Sequence, residues 1–281
     1  MKNLDNNQDN VSESGRARIA AAFQKAQQRQ TAALMPYFTL GYPDRETSMA
    51  VIEAIAPYSD LVELGVPFSD PLADGPTIQR STQIALERGT TTAACLEMVS
   101  ALRRRGISTP FMLMGNSNPI LASGEARYVR DAAAAGADGF IVPDLPPEEA
   151  GDLERLADAA GLALIHFLAP TSSPARIGKV TVRAQGFIYL VSLTGVTGAR
   201  RSLQQDLADF VARVRARTSL PLAVGFGIST PEQAAAVGRL ADGVIVGSAL
   251  INAADTADDK PAAAAQFVRT LQQALIREIG D

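Results

Sequence analysis

The chain has 281 residues, 47% of them apolar, which is enough for one large α/β barrel or two small domains. A net charge of −4 and a pI near 5.2 argue against a protein built to grip nucleic acid or an anionic membrane, either of which needs a basic face. Cys95 is the single cysteine, so an internal disulfide and a cysteine metal cluster are excluded, and no run approaches the ~18 apolar residues of a membrane span.

Residues 1–16, opening MKNLDNNQDNVSESG, lack the apolar segment of a signal peptide and are too acidic and amide-rich for an organelle transit peptide. They read as a disordered tail on a single catalytic domain, 17–281, in a soluble cytoplasmic protein. RIAAAFQKAQQ then predicts a helix with Ile19, Ala22 and Phe23 on one side. From there one unit repeats: a short apolar run, a turn rich in Gly, Pro, Asp or Ser, then an amphipathic helix. The runs are MPYFTLG (35–41), DLVELGV (60–66), PFMLMGN (110–116), DGFIVPD (138–144), LALIHFLAP (162–170), GFIYLVS (186–192), PLAVGFG (221–227) and DGVIVGS (242–248). Helical stretches between them include RETSMAVIEAIAPY, EEAGDLERLADAAG, DLADFVARVRAR and PEQAAAVGRLA. Runs so continuously apolar belong to parallel strands buried on both faces, and eight such units predict a (β/α)₈ TIM barrel. A doubly wound open sheet is the alternative.

A barrel carries its chemistry at the C-terminal ends of the strands. Glu63 sits inside the second run among Leu61, Val62, Leu64 and Val66, where an unpaired carboxylate is rarely tolerated for structure alone. Burial would raise its pKa toward neutrality, as a group that both gives and takes protons requires. The loop that follows, PFSDPLADG, holds Asp70 and Asp74; Asp74 is the stronger candidate, because the Asp-Gly turn can aim its carboxylate at the barrel mouth. Asp144 reads as a turn residue before a Pro-initiated helix. Turns with Gly225, Gly227, Gly247 and Ser248 end the seventh and eighth runs, where barrels often bind a phosphate through backbone N–H groups. SLTGVTGARRS (192–202) has the length and small residues of a mobile lid.

Lys2, Lys25, Lys179 and Lys260 all lie away from strand ends, which argues against Schiff-base chemistry. The single histidine, His166, reads as a core residue, as do Phe111, Met112 and Met114, so no metal-ligand set is apparent. No glycine-rich dinucleotide fingerprint follows the first run. Acid–base chemistry by carboxylates on a small phosphorylated substrate remains.

The segments ELGVPFSDPLADGPTIQ, IVPDLPPEE, APTSS, YLVSLTGVTGAR, GFGIST and VGSA, in this order, resemble the tryptophan synthase α subunit family from about Met35 to Ile251. The resemblance implies a lyase of L-tryptophan biosynthesis that cleaves indole-3-glycerol phosphate to indole and glyceraldehyde 3-phosphate by a retro-aldol reaction. It implies Glu63 and Asp74 as the catalytic pair, Phe38 and Tyr189 against the indole, and Thr197 on the lid. Gly198, Gly227, Gly247 and Ser248 would bind the phosphate. No cofactor is implied in this chain; pyridoxal phosphate would belong to a β subunit, joined in an α2β2 assembly through Asp70, Pro71, Asn116–Leu121 and the turn near Pro146. Asn116, Ser117, Leu193 and His166 depart from the family's usual residues. The rival readings are a stand-alone lyase that releases free indole, a barrel that only activates a partner, and a phosphoribosyl isomerase-type barrel.

Overall fold

The computed structural model describes residues 14–71, 74–191, 200–225 and 227–276, with the side chains of 200–204 excepted. Eight strands are hydrogen-bonded in sequence order, each parallel to the next, and the eighth returns to the first. They are β1 (Ala33–Thr39), β2 (Val62–Gly65), β3 (Phe111–Met114), β4 (Gly139–Ile141), β5 (Ala163–Leu168), β6 (Ile188–Val191), β7 (Leu222–Gly225) and β8 (Gly243–Val246). Each lies within one of the eight apolar runs, except that β1 begins two residues before its run. The closed barrel replaces the open-sheet alternative.

The helices are α1 (Gly15–Gln28), α2 (Arg45–Ile55), α3 (Pro76–Glu87), α4 (Thr92–Arg104), α5 (Ser117–Ser123), α6 (Glu125–Ala135), α7 (Gly151–Ala159), α8 (Pro174–Arg183), α9 (Arg200–Arg215), α10 (Pro231–Gly238), α11 (Ser248–Asp255) and α12 (Lys260–Ala274). Helix α1 starts inside the span read as tail, because Ser14 caps it by accepting from the Ala17 N–H; residues 1–13 lie outside the described residues. Its Ile19, Phe23 and Ala26 are buried, and Phe23 packs on Phe187 with ring centroids 5.6 Å apart. Both α1 and the starts of the strands are thereby tied together, which leaves chemistry to the opposite end.

Three aspartates organise the N-terminal end of the barrel, away from the chemistry. Asp60, Asp138 and Asp242 each precede a strand and accept a backbone N–H from the start of the preceding strand: Leu34 at 2.9 Å, Phe111 at 2.7 Å and Leu222 at 2.8 Å. Each also pairs with an arginine of a surrounding helix or its end, namely Arg29, Arg103 and Arg215, and Asp138 holds Arg18 of α1 as well. An aspartate opens three of the apolar runs, yet nothing local distinguishes it from an ordinary turn residue. Asp138 is fully buried, and its removal would take the one carboxylate from between two guanidinium groups and an acceptor from a backbone N–H. Asp138→Ala is therefore expected to cost about 3–5 kcal/mol of stability in urea unfolding. At low denaturant kcat/KM should be retained, and a kinetic loss without a stability loss would contradict this assignment.

Candidate active site

Glu63 is the second residue of β2, in register with Tyr37 of β1 and Met112 of β3. It is 1% exposed, and neither carboxyl oxygen has a hydrogen-bond partner among the described residues. Burial in this apolar wall raises its pKa to about 8, so it carries a proton at neutral pH.

Asp74 stands at the entry to α3. Its N–H donates to the Pro71 carbonyl at 3.1 Å, and its carbonyl accepts from Gln79 Nε2 at 2.8 Å. Gly75 then caps the helix and Pro76 opens it, with no N–H to leave unpaired. Asp74 is partly buried, and that burial raises its pKa to about 6. At neutral pH one carboxyl is thus protonated and the other charged, which separates a proton donor from an electrostatic stabiliser.

Both acids line one cavity of about 340 Å³. Its wall also includes Tyr37, Ile78, Met114, Tyr189 and Ile245, with Gly227, Ser229, Gly247 and Ser248 at the strand-seven and strand-eight turns and Asn252 on α11. Among the described residues no lysine or arginine lines it. An anion there would be met instead by the N-terminus of α11, where Gly247 is the cap and Ser248 the first helical residue. Gly227 has φ +76°, which lets the chain turn sharply after β7.

Two tyrosines are seated over strand glycines. A Cβ on Gly65 would lie 2.0 Å from the Tyr37 hydroxyl, and one on Gly225 would lie 2.2 Å from the Tyr189 hydroxyl. Those missing methyl groups are the space that the two phenols occupy.

The structure thus brings together Glu63, Asp74, Tyr189, Gly227, Gly247 and Ser248. Phe38 is not among the lining residues: it is fully buried, with its ring centroid 6.2 Å from that of Tyr42. Its neighbour Tyr37 lines the cavity instead. Alternate residues of a strand face opposite ways, and Tyr37, in register with Glu63, shares its face. Met114, expected in the core, also lines the cavity. Ile78 and Asn252 were not singled out from the sequence, because a single inward residue of a helix carries no local signal.

Asp70 is exposed and accepts from the Ser69 hydroxyl at 2.6 Å, outside this cavity. Asp144 accepts from the Ser117 N–H at 2.9 Å and so caps α5 across the loops, rather than the helix that follows it. His166 is buried with Nε2 2.8 Å from Glu154 Oε1, and desolvation lowers its pKa. Among the described residues no group of three or more His, Cys, Asp or Glu side chains is gathered to hold a metal. Residues 192–199, with Leu193, Thr197 and Gly198, lie outside the described residues; α9 begins at Arg200.

The family model described as tryptophan synthase alpha chain matches residues 23–279. A tryptophan synthase alpha chain of Chloroflexus aurantiacus is 52% identical over 93% of this chain and 99% of that relative. One of a Roseiflexus species is 51% identical over 91% of this chain and 99% of its own length. Among solved structures, the tryptophan synthase subunit alpha of Legionella pneumophila superposes with a TM-score of 0.85 at 37% identity, covering 92% of this chain and 98% of that one.

Proposed function

The chain belongs to the tryptophan synthase alpha chain family, and on that premise we propose that Glu63 and Asp74 carry out the retro-aldol cleavage of indole-3-glycerol phosphate. Membership makes it a lyase of tryptophan biosynthesis that acts as the α subunit. The observation that carries the residue assignment is Glu63 itself: a fully buried carboxyl without a hydrogen-bond partner, on the wall of a cavity that also holds Asp74.

The difficulty of the reaction is that the bond from indole C3 to the glycerol carbon cannot break while the ring keeps its aromatic electrons. Protonated Glu63 delivers its proton to C3 and makes an indolenine-like cation. Ionised Asp74 stabilises the positive charge that develops on the ring nitrogen. The Glu63 carboxylate then takes the proton of the adjacent glycerol hydroxyl as the carbon–carbon bond breaks. The bonding pair returns aromaticity to indole, the oxygen becomes the aldehyde carbonyl, and Glu63 is again protonated. Tyr37 and Tyr189 bound the ring, while Gly227, Gly247 and Ser248 receive the phosphate through backbone N–H groups and the Ser248 hydroxyl. Thr197 and Gly198 enter this proposal by resemblance alone.

No step above asks for a cofactor in this chain, and pyridoxal phosphate is assigned to a β subunit partner in an α2β2 assembly. The rim offers such a partner Asp70, Pro71 and α5, where Leu121 is 59% exposed. The Asp144–Ser117 hydrogen bonds hold α5 against the β4 loop. No helix among the described residues is long and apolar enough to cross a membrane, and a cytoplasmic location is proposed.

Indole release from indole-3-glycerol phosphate tests the reaction directly. We expect low turnover alone and a rise of at least about tenfold, or about 1.4 kcal/mol of barrier, on adding the β subunit of the same organism. Unchanged turnover in the mixture, with no complex on size exclusion, would favour the stand-alone lyase.

A further inference from the structure

Three buried hydroxyls lead from the cavity wall to α3 and take no part in the chemistry described so far. Tyr37 Oη lies 3.2 Å from Thr39 Oγ1, Thr39 Oγ1 lies 2.7 Å from Ser81 Oγ, and Ser81 Oγ donates to the Ile78 carbonyl at 2.8 Å. Each hydroxyl has one proton to give. Ser81 commits its proton to Ile78, so Thr39 donates to Ser81, and Tyr37 in turn donates to Thr39. The direction of the whole chain is therefore set from its far end.

The ring anchored in this way is a partition. Tyr37, Asp74 and Met114 line both the reaction cavity and a second pocket of about 10 Å³, which is bounded also by Val66, Pro71 and Asn116. Swinging the Tyr37 ring aside would join the two spaces. It would also strand a phenol donor in a core where Tyr37 is 5% exposed and Thr39 and Ser81 are both 0% exposed. The absent Cβ of Gly65 holds the hydroxyl's resting place open beneath the ring.

We propose that the Tyr37–Thr39–Ser81 chain is a specificity device, which fixes one wall of the cavity and so excludes substrates with a substituted indole ring. The inference rests on the reaction proposed above. Ser81 and Thr39 act through Tyr37 and are positioning residues.

The test compares kcat/KM for indole-3-glycerol phosphate and for an analogue methylated on the six-membered ring, with the β subunit present. Ser81→Ala and Thr39→Val are expected to raise the analogue-to-parent ratio by about tenfold, the lower end of what one methyl group decides in an apolar pocket. Thr39→Ser keeps the hydroxyl and is expected to keep the wild-type ratio. A purely structural role would lower the thermal midpoint and leave the ratio unchanged, and that result overturns the proposal. If Thr39→Val does not fold, Tyr37→Phe removes the donor while keeping the ring, and the same rise is required of it. A wild-type protein inert toward the parent compound would overturn the reaction itself; one active on the parent, with variants of unaltered ratio, sinks only the specificity device.

Discussion

Glu63→Gln is expected to lower kcat/KM for indole-3-glycerol phosphate by about 10²–10⁴-fold while leaving the fold intact, because an amide cannot shuttle a proton. The same change should stabilise the protein. Between the ordinary carboxyl value of 4.5 and about 8, the folded chain holds a proton on Glu63 that the unfolded chain has lost. Stability therefore falls as pH rises through that window, and the neutral amide is exempt. A gain of about 1–3 kcal/mol at pH 7 is expected for the variant, in thermal or urea unfolding. Loss of activity accompanied by loss of stability would point to a packing role instead. Retention of more than about a tenth of wild-type turnover would remove Glu63 from the mechanism.

Asp74→Asn is expected to cost about 10²-fold or more in kcat, comparable to removing one preorganised group opposite a developing charge. The proposed pair also predicts the pH dependence. Asp74 must be ionised and Glu63 protonated, so kcat/KM of the wild type should fall below about 6 and above about 8. In Asp74→Asn the acid limb should disappear from the residual activity while the alkaline limb persists. A variant that changed KM alone, with kcat and both limbs kept, would make Asp74 a residue that positions substrate rather than one that stabilises the cation.

The alternation of apolar runs with amphipathic stretches determined the barrel, because a strand buried on both faces and a helix buried on one leave different periods in the chain. Glu63 was legible for a related reason: a carboxylate inside a run with no wet face has to be accounted for by chemistry or by a partner. Asp74 was legible from its Asp-Gly turn and its place after the second strand. What the chain did not disclose by itself was which way the residues of MPYFTLG face. That run has no polar alternation until Thr39, so Phe38 and Tyr37 were interchangeable until strand register placed Tyr37 beside Glu63. The roles of Asp60, Asp138 and Asp242, and of Ser81 behind Tyr37, were hidden for a different cause. Each depends on partners from distant segments, and a hydrogen bond between residues 27 or 42 positions apart leaves no trace in local spacing. The raised pKa of Glu63 belongs to the same class: its direction followed from an apolar neighbourhood, but its extent required closure of the barrel, which buries the carboxyl in the cavity wall.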